Sequence, residues 1–148
     1  MEYILQFLLA FGATIGFGVM FNAPKNVLIY CGLAGGVGWI IYTVVMNTID
    51  QNIIAAFLGS FVLTIISLLF ARRLKTPVIV FIVCGIIPLV PGGLAYQAMR
   101  HIVTNDYQLA IEFIFQVGLV SGAIAIGIIF AETLNQVYYG IKGKLVRS

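Results

Sequence analysis

The sequence predicts an all-α fold, a polytopic membrane helix bundle of five transmembrane helices, with the fourth broken at a Pro-x-x-Pro-Gly-Gly turn. Three observations predict it. Of 148 residues, 61% are hydrophobic and 9% charged, with mean hydropathy +1.10, whereas a soluble domain is nearer half apolar and a quarter charged. A globule of this length cannot hide so much apolar surface, so lipid is the expected solvent for most of it. The apolar runs recur at about the ~20 residues a helix needs to cross hydrocarbon. Helices are the default, because an open sheet leaves backbone groups unpaired in lipid.

The spans fall at about 3–21, 27–46, 53–71, 78–99 and 109–133, forming one transmembrane domain over 1–148. The first, "EYILQFLLAFGATIGFGVMF", lacks the basic start of a signal peptide and stays apolar for a full crossing, so it reads as a retained span. The second and third are bounded by "NAPK", "NTIDQN" and "RRLKT", and "HIVTNDY" leads into the fifth. These connectors leave no room for a separate soluble domain. Gly12 and Gly16, Gly32 and Gly36, and Gly118 and Gly122 each form GxxxG, with Gly35 and Gly38 extending the second set. Such spacing lets helices approach backbone to backbone.

The charges predict orientation. Lys25, Arg72, Arg73, Lys75, Lys142, Lys144 and Arg147 share one side, while Glu2, Asp50, Asp106 and the lone Arg100 share the other. Basic residues mark the cytoplasmic face, so the N-terminus is expected outside and the C-terminus in the cytoplasm. The basic residues form short clusters between apolar runs rather than one face, so no nucleic-acid partner is expected.

The fourth span carries the functional signal. Residues 78–87, "VIVFIVCGII", rise about 15 Å, roughly half the hydrocarbon core, before "PLVPGG" interrupts them. An interior proline costs ~3 kcal/mol and a glycine ~1 relative to alanine. Pro88 and Pro91 free the carbonyls of Cys84 and Ile87 at mid-membrane depth, where lipid supplies no donor. Beyond them, the N–H groups of Gly92, Gly93 and Leu94 open a second half-helix. Its dipole and unpaired donors suit an anion, and discontinuous helices bind substrate near the midplane of many secondary transporters.

Tyr96 and Arg100 lie one turn apart on that half-helix. Glu112 and Gln116 lie one turn apart near the outer end of the fifth span, where an acidic residue is a candidate for proton coupling or for a solute amine. The expected substrate-binding set is Pro88, Pro91, Gly92, Gly93, Leu94, Tyr96, Glu112 and Gln116. Trp39, with Tyr42 a turn away, reads as an interfacial anchor. Cys31 and Cys84 read as packing residues, and His101 has no second ligand nearby, so no metal and no cofactor are expected. No phosphate-binding GxxxxGK[ST] loop and no HExxH is present, and no enzyme is expected.

The stretches "ARRLKTPVIVFIVCGIIPLVPGGLAYQAM" and "FGVMFNAPKNVLIYCGLAGGVGWIIY" closely resemble the threonine/serine exporter family, in its short B-type membrane module. The conjunction of FN-x-P, CG-x-x-GG-x-GW and PLVPG is the specific part, and the resemblance covers nearly the whole chain. It implies a bacterial inner-membrane exporter of threonine and serine or, in some members, of dicarboxylates such as succinate. It also implies a larger membrane subunit as partner, since this module stands apart from the larger one as in a two-component exporter. A non-transporting scaffold that stabilises the larger subunit, and a homo-oligomer transporting alone, are the alternatives.

Overall fold

A computed structural model of the chain describes the backbone of residues 2–145 and side chains through Tyr139. Of the basic set above, Arg147 lies outside the described residues. Six α-helices follow one another: α1 (Glu2–Met20), α2 (Leu28–Ile49), α3 (Asn52–Leu74), α4 (Val78–Ile86), α5 (Gly92–Val103) and α6 (Tyr107–Leu145), with a 3-10 turn over Ile87–Leu89. Among the described residues there is no strand. Helices α1, α2, α3 and the Tyr107–Tyr139 part of α6 are each long and apolar enough to cross a membrane. The α4–α5 pair supplies the fifth crossing, bent by 52° at its break. A bend of that size keeps the chain moving onward, whereas a re-entrant loop has to reverse it.

The helix ends are built without glycine. Asn22, Asp50, Lys75 and Asn105 adopt φ between 50° and 60°, and none of the described glycines has positive φ. At three ends the next amide reaches back five residues: Ala23 to Gly18, Thr76 to Ala71 and Asp106 to His101, at 2.9–3.1 Å. These bonds satisfy carbonyls that a helix terminus leaves free. Asn and Asp tolerate the left-handed region better than most residues, and Pro24 and Pro77 follow closely to prevent continuation. Helix α6 runs past the expected boundary at 133 because nothing in "ETLNQVYYGIKGKL" breaks it; 39 residues rise about 58 Å.

Glycine instead serves close approach. A Cβ on Gly38 would lie 3.2 Å from the Gly59 carbonyl oxygen, and one on Gly59 would lie 3.0 Å from the Gly38 carbonyl oxygen. A Cβ on Gly85 would lie 3.1 Å from Leu63 and 3.4 Å from the Gly35 amide nitrogen. Helices α2, α3 and α4 therefore meet backbone to backbone. Gly32, Gly35 and Gly36 face Phe11, Thr14 and Phe7 of α1, and Gly127 faces Ser60 of α3. The expected glycine packing thus holds for α2 within the chain. Gly12, Gly16, Gly118 and Gly122 face open space, because the neighbouring helices pack on other sides of α1 and α6.

Buried hydroxyls are satisfied locally. Thr14, Thr64 and Ser67 each donate to the carbonyl four residues back at 2.8 Å, so these small side chains fill tight contacts without an orphan polar group. At one end, Val27 packs with Ala71 and Leu74, which brings the turn of Lys25 beside Arg72, Arg73 and Lys75. At the other, Asn47 donates to the Tyr3 hydroxyl at 3.3 Å, joining the start of α1 to the end of α2. Among the described residues, Lys25, Arg72, Arg73 and Lys75 therefore gather at one end of the bundle.

Candidate functional site

The break is built from two different turns. Pro88 lacks an N–H, and the chain tightens from α-helix to 3-10 helix over Ile87–Leu89. The Val90 amide then donates to the carbonyls of Ile86 and Ile87 at 3.2 and 3.3 Å. Pro91, at φ −75° and ψ 53°, centres a tight γ-turn that closes Gly92 N–H on the Val90 carbonyl at 2.7 Å. Ala95 N–H returns to the Pro91 carbonyl at 3.1 Å and α5 is under way.

These bonds correct two expectations. The Ile87 carbonyl is not free, because Val90 donates to it. Gly92 is not a free donor, because the turn consumes its N–H. Among the described residues no acceptor meets the N–H groups of Gly93 and Leu94, so two main-chain donors remain at the opening of α5 rather than three.

The break sits deep in the bundle. Leu89 is buried, and a Cβ on Gly59 would lie 3.1 Å from its Cδ2 and 3.2 Å from Tyr42 Cβ. Gly38, which faces Gly59, is at the middle of α2. The turn is therefore level with the centre of α2. This is the depth at which lipid supplies no hydrogen bonds.

Beside it opens a cavity of about 480 Å³, lined by Trp39, Tyr42, Asn52, Pro88, Leu89, Val90, Pro91, Gly93, Leu94, Gln97, Phe113 and Val120. That volume suits a small organic molecule. Trp39 and Tyr42 stack at 5.2 Å with an interplanar angle of 23°. Tyr42 donates its hydroxyl proton to Asn52 Oδ1 at 3.0 Å. With that oxygen engaged, the amide NH₂ is the donor group Asn52 keeps for another partner. Among the described residues, the cavity wall contains no charged side chain. It offers two main-chain N–H groups, two side-chain amides and an aromatic pair.

The structure gathers Pro88, Pro91, Gly93 and Leu94 into this wall. Gly92 lies just outside it. Gln116 lines an adjoining cavity of about 240 Å³ with Gln51, Ile53 and Leu119, and the two cavities share Asn52 and Val120. Glu112 is exposed and lines neither, and Tyr96 is 67% exposed on the outer face of α5. Helical geometry explains the split, since Gln97 follows Gly93 by four residues and shares its face, while Tyr96 is turned away. Sequence reasoning missed Asn52, Gln97 and Phe113, and it placed Trp39 and Tyr42 at the membrane boundary. Both aromatics are instead half-buried in the wall. The signal for Gln97 was its spacing from Gly93; Asn52 was hidden because "NTIDQN" reads as a loop when Asn52 in fact opens α3.

An uncharacterised protein of Haemophilus influenzae is 25% identical over 136 residues, covering 86% of this chain and 46% of the relative. The chain thus spans about half the length of the relative it matches. No solved structure matches it. The family described as threonine/serine exporter, ThrE, matches residues 6–134, from α1 through the broken span into α6. The chain is a member of the threonine/serine exporter family, a membrane exporter family.

Proposed function

We propose that this chain is the small subunit of a bacterial inner-membrane secondary exporter for small carboxylate-bearing metabolites, working with a larger membrane subunit. The observation that carries the reading is the cavity at the mid-bundle break, where Gly93 and Leu94 present unpaired N–H groups. A solute carboxylate meets those donors and the positive end of the α5 dipole. The Asn52 and Gln97 amides complete its hydrogen bonds, and the stacked Trp39–Tyr42 faces suit an ammonium group. An uncharged wall favours a zwitterion such as threonine or serine over a dianion such as succinate, because a second buried carboxylate has no counter-charge there. The basic end of the bundle faces the cytoplasm in this reading.

The experiment is efflux of labelled threonine and succinate from proteoliposomes holding both subunits. A Cβ on Gly92 or Gly93 meets nothing within 4 Å, so a larger side chain at either position starts in open space. Gly93→Leu fills the cavity wall and should reduce efflux at least about a hundredfold, while Gly92→Leu should leave it near the parental rate. Parental efflux by Gly93→Leu would count against the site.

A second reading draws on the open faces of Gly12 and Gly16 and of Gly118 and Gly122, which suit close packing by a partner helix. In it the chain is a non-transporting scaffold for the larger subunit. A photoreactive solute analogue separates the two: a scaffold is never labelled at Trp39 or Gln97.

A further inference from the structure

A second built feature lies at the basic end, remote from the break. Arg72 closes the last turn of α3, followed by Arg73 and the helix cap Lys75. Its guanidinium carbon stands 3.3 Å over the centroid of the Tyr139 ring, and its Nη2 donates to Asn135 Oδ1 at 2.9 Å. Tyr138 meets Tyr139 edge-on at 5.1 Å. The guanidinium is thus held flat and oriented by α6 while one of its five N–H groups is used. Among the described residues, no carboxylate pairs with Arg72, Arg73 or Lys75.

From this point toward the bundle centre, α3 and α6 part into a groove of about 250 Å³ between Ile65, Leu68 and Leu69 on one wall and Leu134 and Tyr138 on the other. Its lining is mainly apolar, and it also includes Asn135 and Tyr139, the two residues that hold the Arg72 guanidinium. Any ligand matching both parts has a phosphate-like anion at headgroup depth and a hydrocarbon chain reaching inward.

We propose that the α3–α6 groove is a site for one anionic phospholipid. The headgroup phosphate is held by the remaining Arg72 donors, Arg73 and Lys75 supply the surrounding positive field, and an acyl chain lies against Leu68, Leu69 and Leu134. Free inorganic phosphate matches only the mouth and zwitterionic lipid lacks net charge, so neither satisfies the whole site. The lipid bridges the two helices on their basic side, independently of what the cavity at the break binds.

Native mass spectrometry of the detergent-purified full chain tests it, with dioleoylphosphatidylglycerol, dioleoylphosphatidylcholine and inorganic phosphate as probes. The parental chain should retain phosphatidylglycerol about tenfold better than phosphatidylcholine, and phosphate should neither bind nor compete. Arg72→Gln should lower phosphatidylglycerol retention about tenfold, through loss of the charged fork. Leu134→Trp, which fills the groove and leaves Arg72 in place, should lower it as well, and circular dichroism confirms that each variant is folded. Equal retention of the two lipids, competition by phosphate alone, or unchanged retention in folded Arg72→Gln or Leu134→Trp overturns the proposal.

Discussion

The two halves of the broken span share a crossing and little else. Helix α4 has nine residues and buries Phe81, Ile82, Cys84 and Gly85 against α1, α2 and α3. Helix α5 has twelve and buries Ala98 alone, with α6 as its main packing partner. Tyr96, Met99 and Val103 are 67%, 62% and 78% exposed. At its far end α5 is tied to the start of α6 by the His101–Phe113 stack at 5.4 Å and the His101–Asp106 contact at 3.7 Å. One half is therefore part of a glycine-paved block, and the other is held mainly by α6. An element that rocks about a fixed site needs both a firm support and a lightly held arm. The break at Pro88 and Pro91 is the joint between them.

The largest effect that separates the halves is on stability. Gly85→Leu forces a side chain into Leu63 and the Gly35 backbone, where backbone cannot yield, and should cost about 3 kcal/mol. Gly93→Leu places the same side chain in open space, so its stability should match or exceed the parent. Unfolding in mixed detergent micelles, followed by circular dichroism, gives both values. Equal losses at the two positions would falsify the division into block and arm.

An intermediate effect lies where block meets cavity. Tyr42 belongs to α2, and its hydroxyl holds Asn52 at the opening of α3. Tyr42→Phe keeps the stack on Trp39 and removes one neutral hydrogen bond, an expected loss of about 1 kcal/mol. Efflux should fall about tenfold by weaker solute binding, because Asn52 is no longer oriented. The check is the apparent solute affinity: a drop in maximal rate at unchanged affinity excludes the orienting role.

Much of this was legible in the sequence. Hydrophobic runs of spanning length located every crossing, since lipid leaves the backbone only helices to form. Pro88 and Pro91 located the break, because no interior helix accommodates both without losing hydrogen bonds. The side chains around the break were harder to read. Trp39 resembled a boundary anchor because its depth depends on how far α2 extends, and the helix continues through "MNTI" to Ile49. The free donors were overcounted by one because the γ-turn at Pro91 is a three-residue choice that the sequence does not advertise. Which GxxxG faces pack within the chain was equally hidden. Spacing marks a face suited to close approach, but the facing residue, such as Gly59 opposite Gly38, comes from another helix.

The smallest difference is between two neighbours on α5. Tyr96 and Gln97 are adjacent in sequence, yet a 100° step along the helix puts Gln97 in the cavity wall and Tyr96 outside. Both side chains leave an alanine replacement at little risk, within about 0.5 kcal/mol for the exposed Tyr96. Solute affinity should separate them. Gln97→Ala removes an amide from the wall and should weaken binding about fivefold, whereas Tyr96→Ala should leave it unchanged. Isothermal titration with threonine of the chain reconstituted with the proposed larger subunit reads both. If Tyr96→Ala weakens binding as much as Gln97→Ala, α5 must turn by roughly a quarter of its circumference when solute binds. The arm would then be a rotating element rather than a tilting one. If neither change matters, the solute is held by the block alone, and α5 serves only to open and close the way to it.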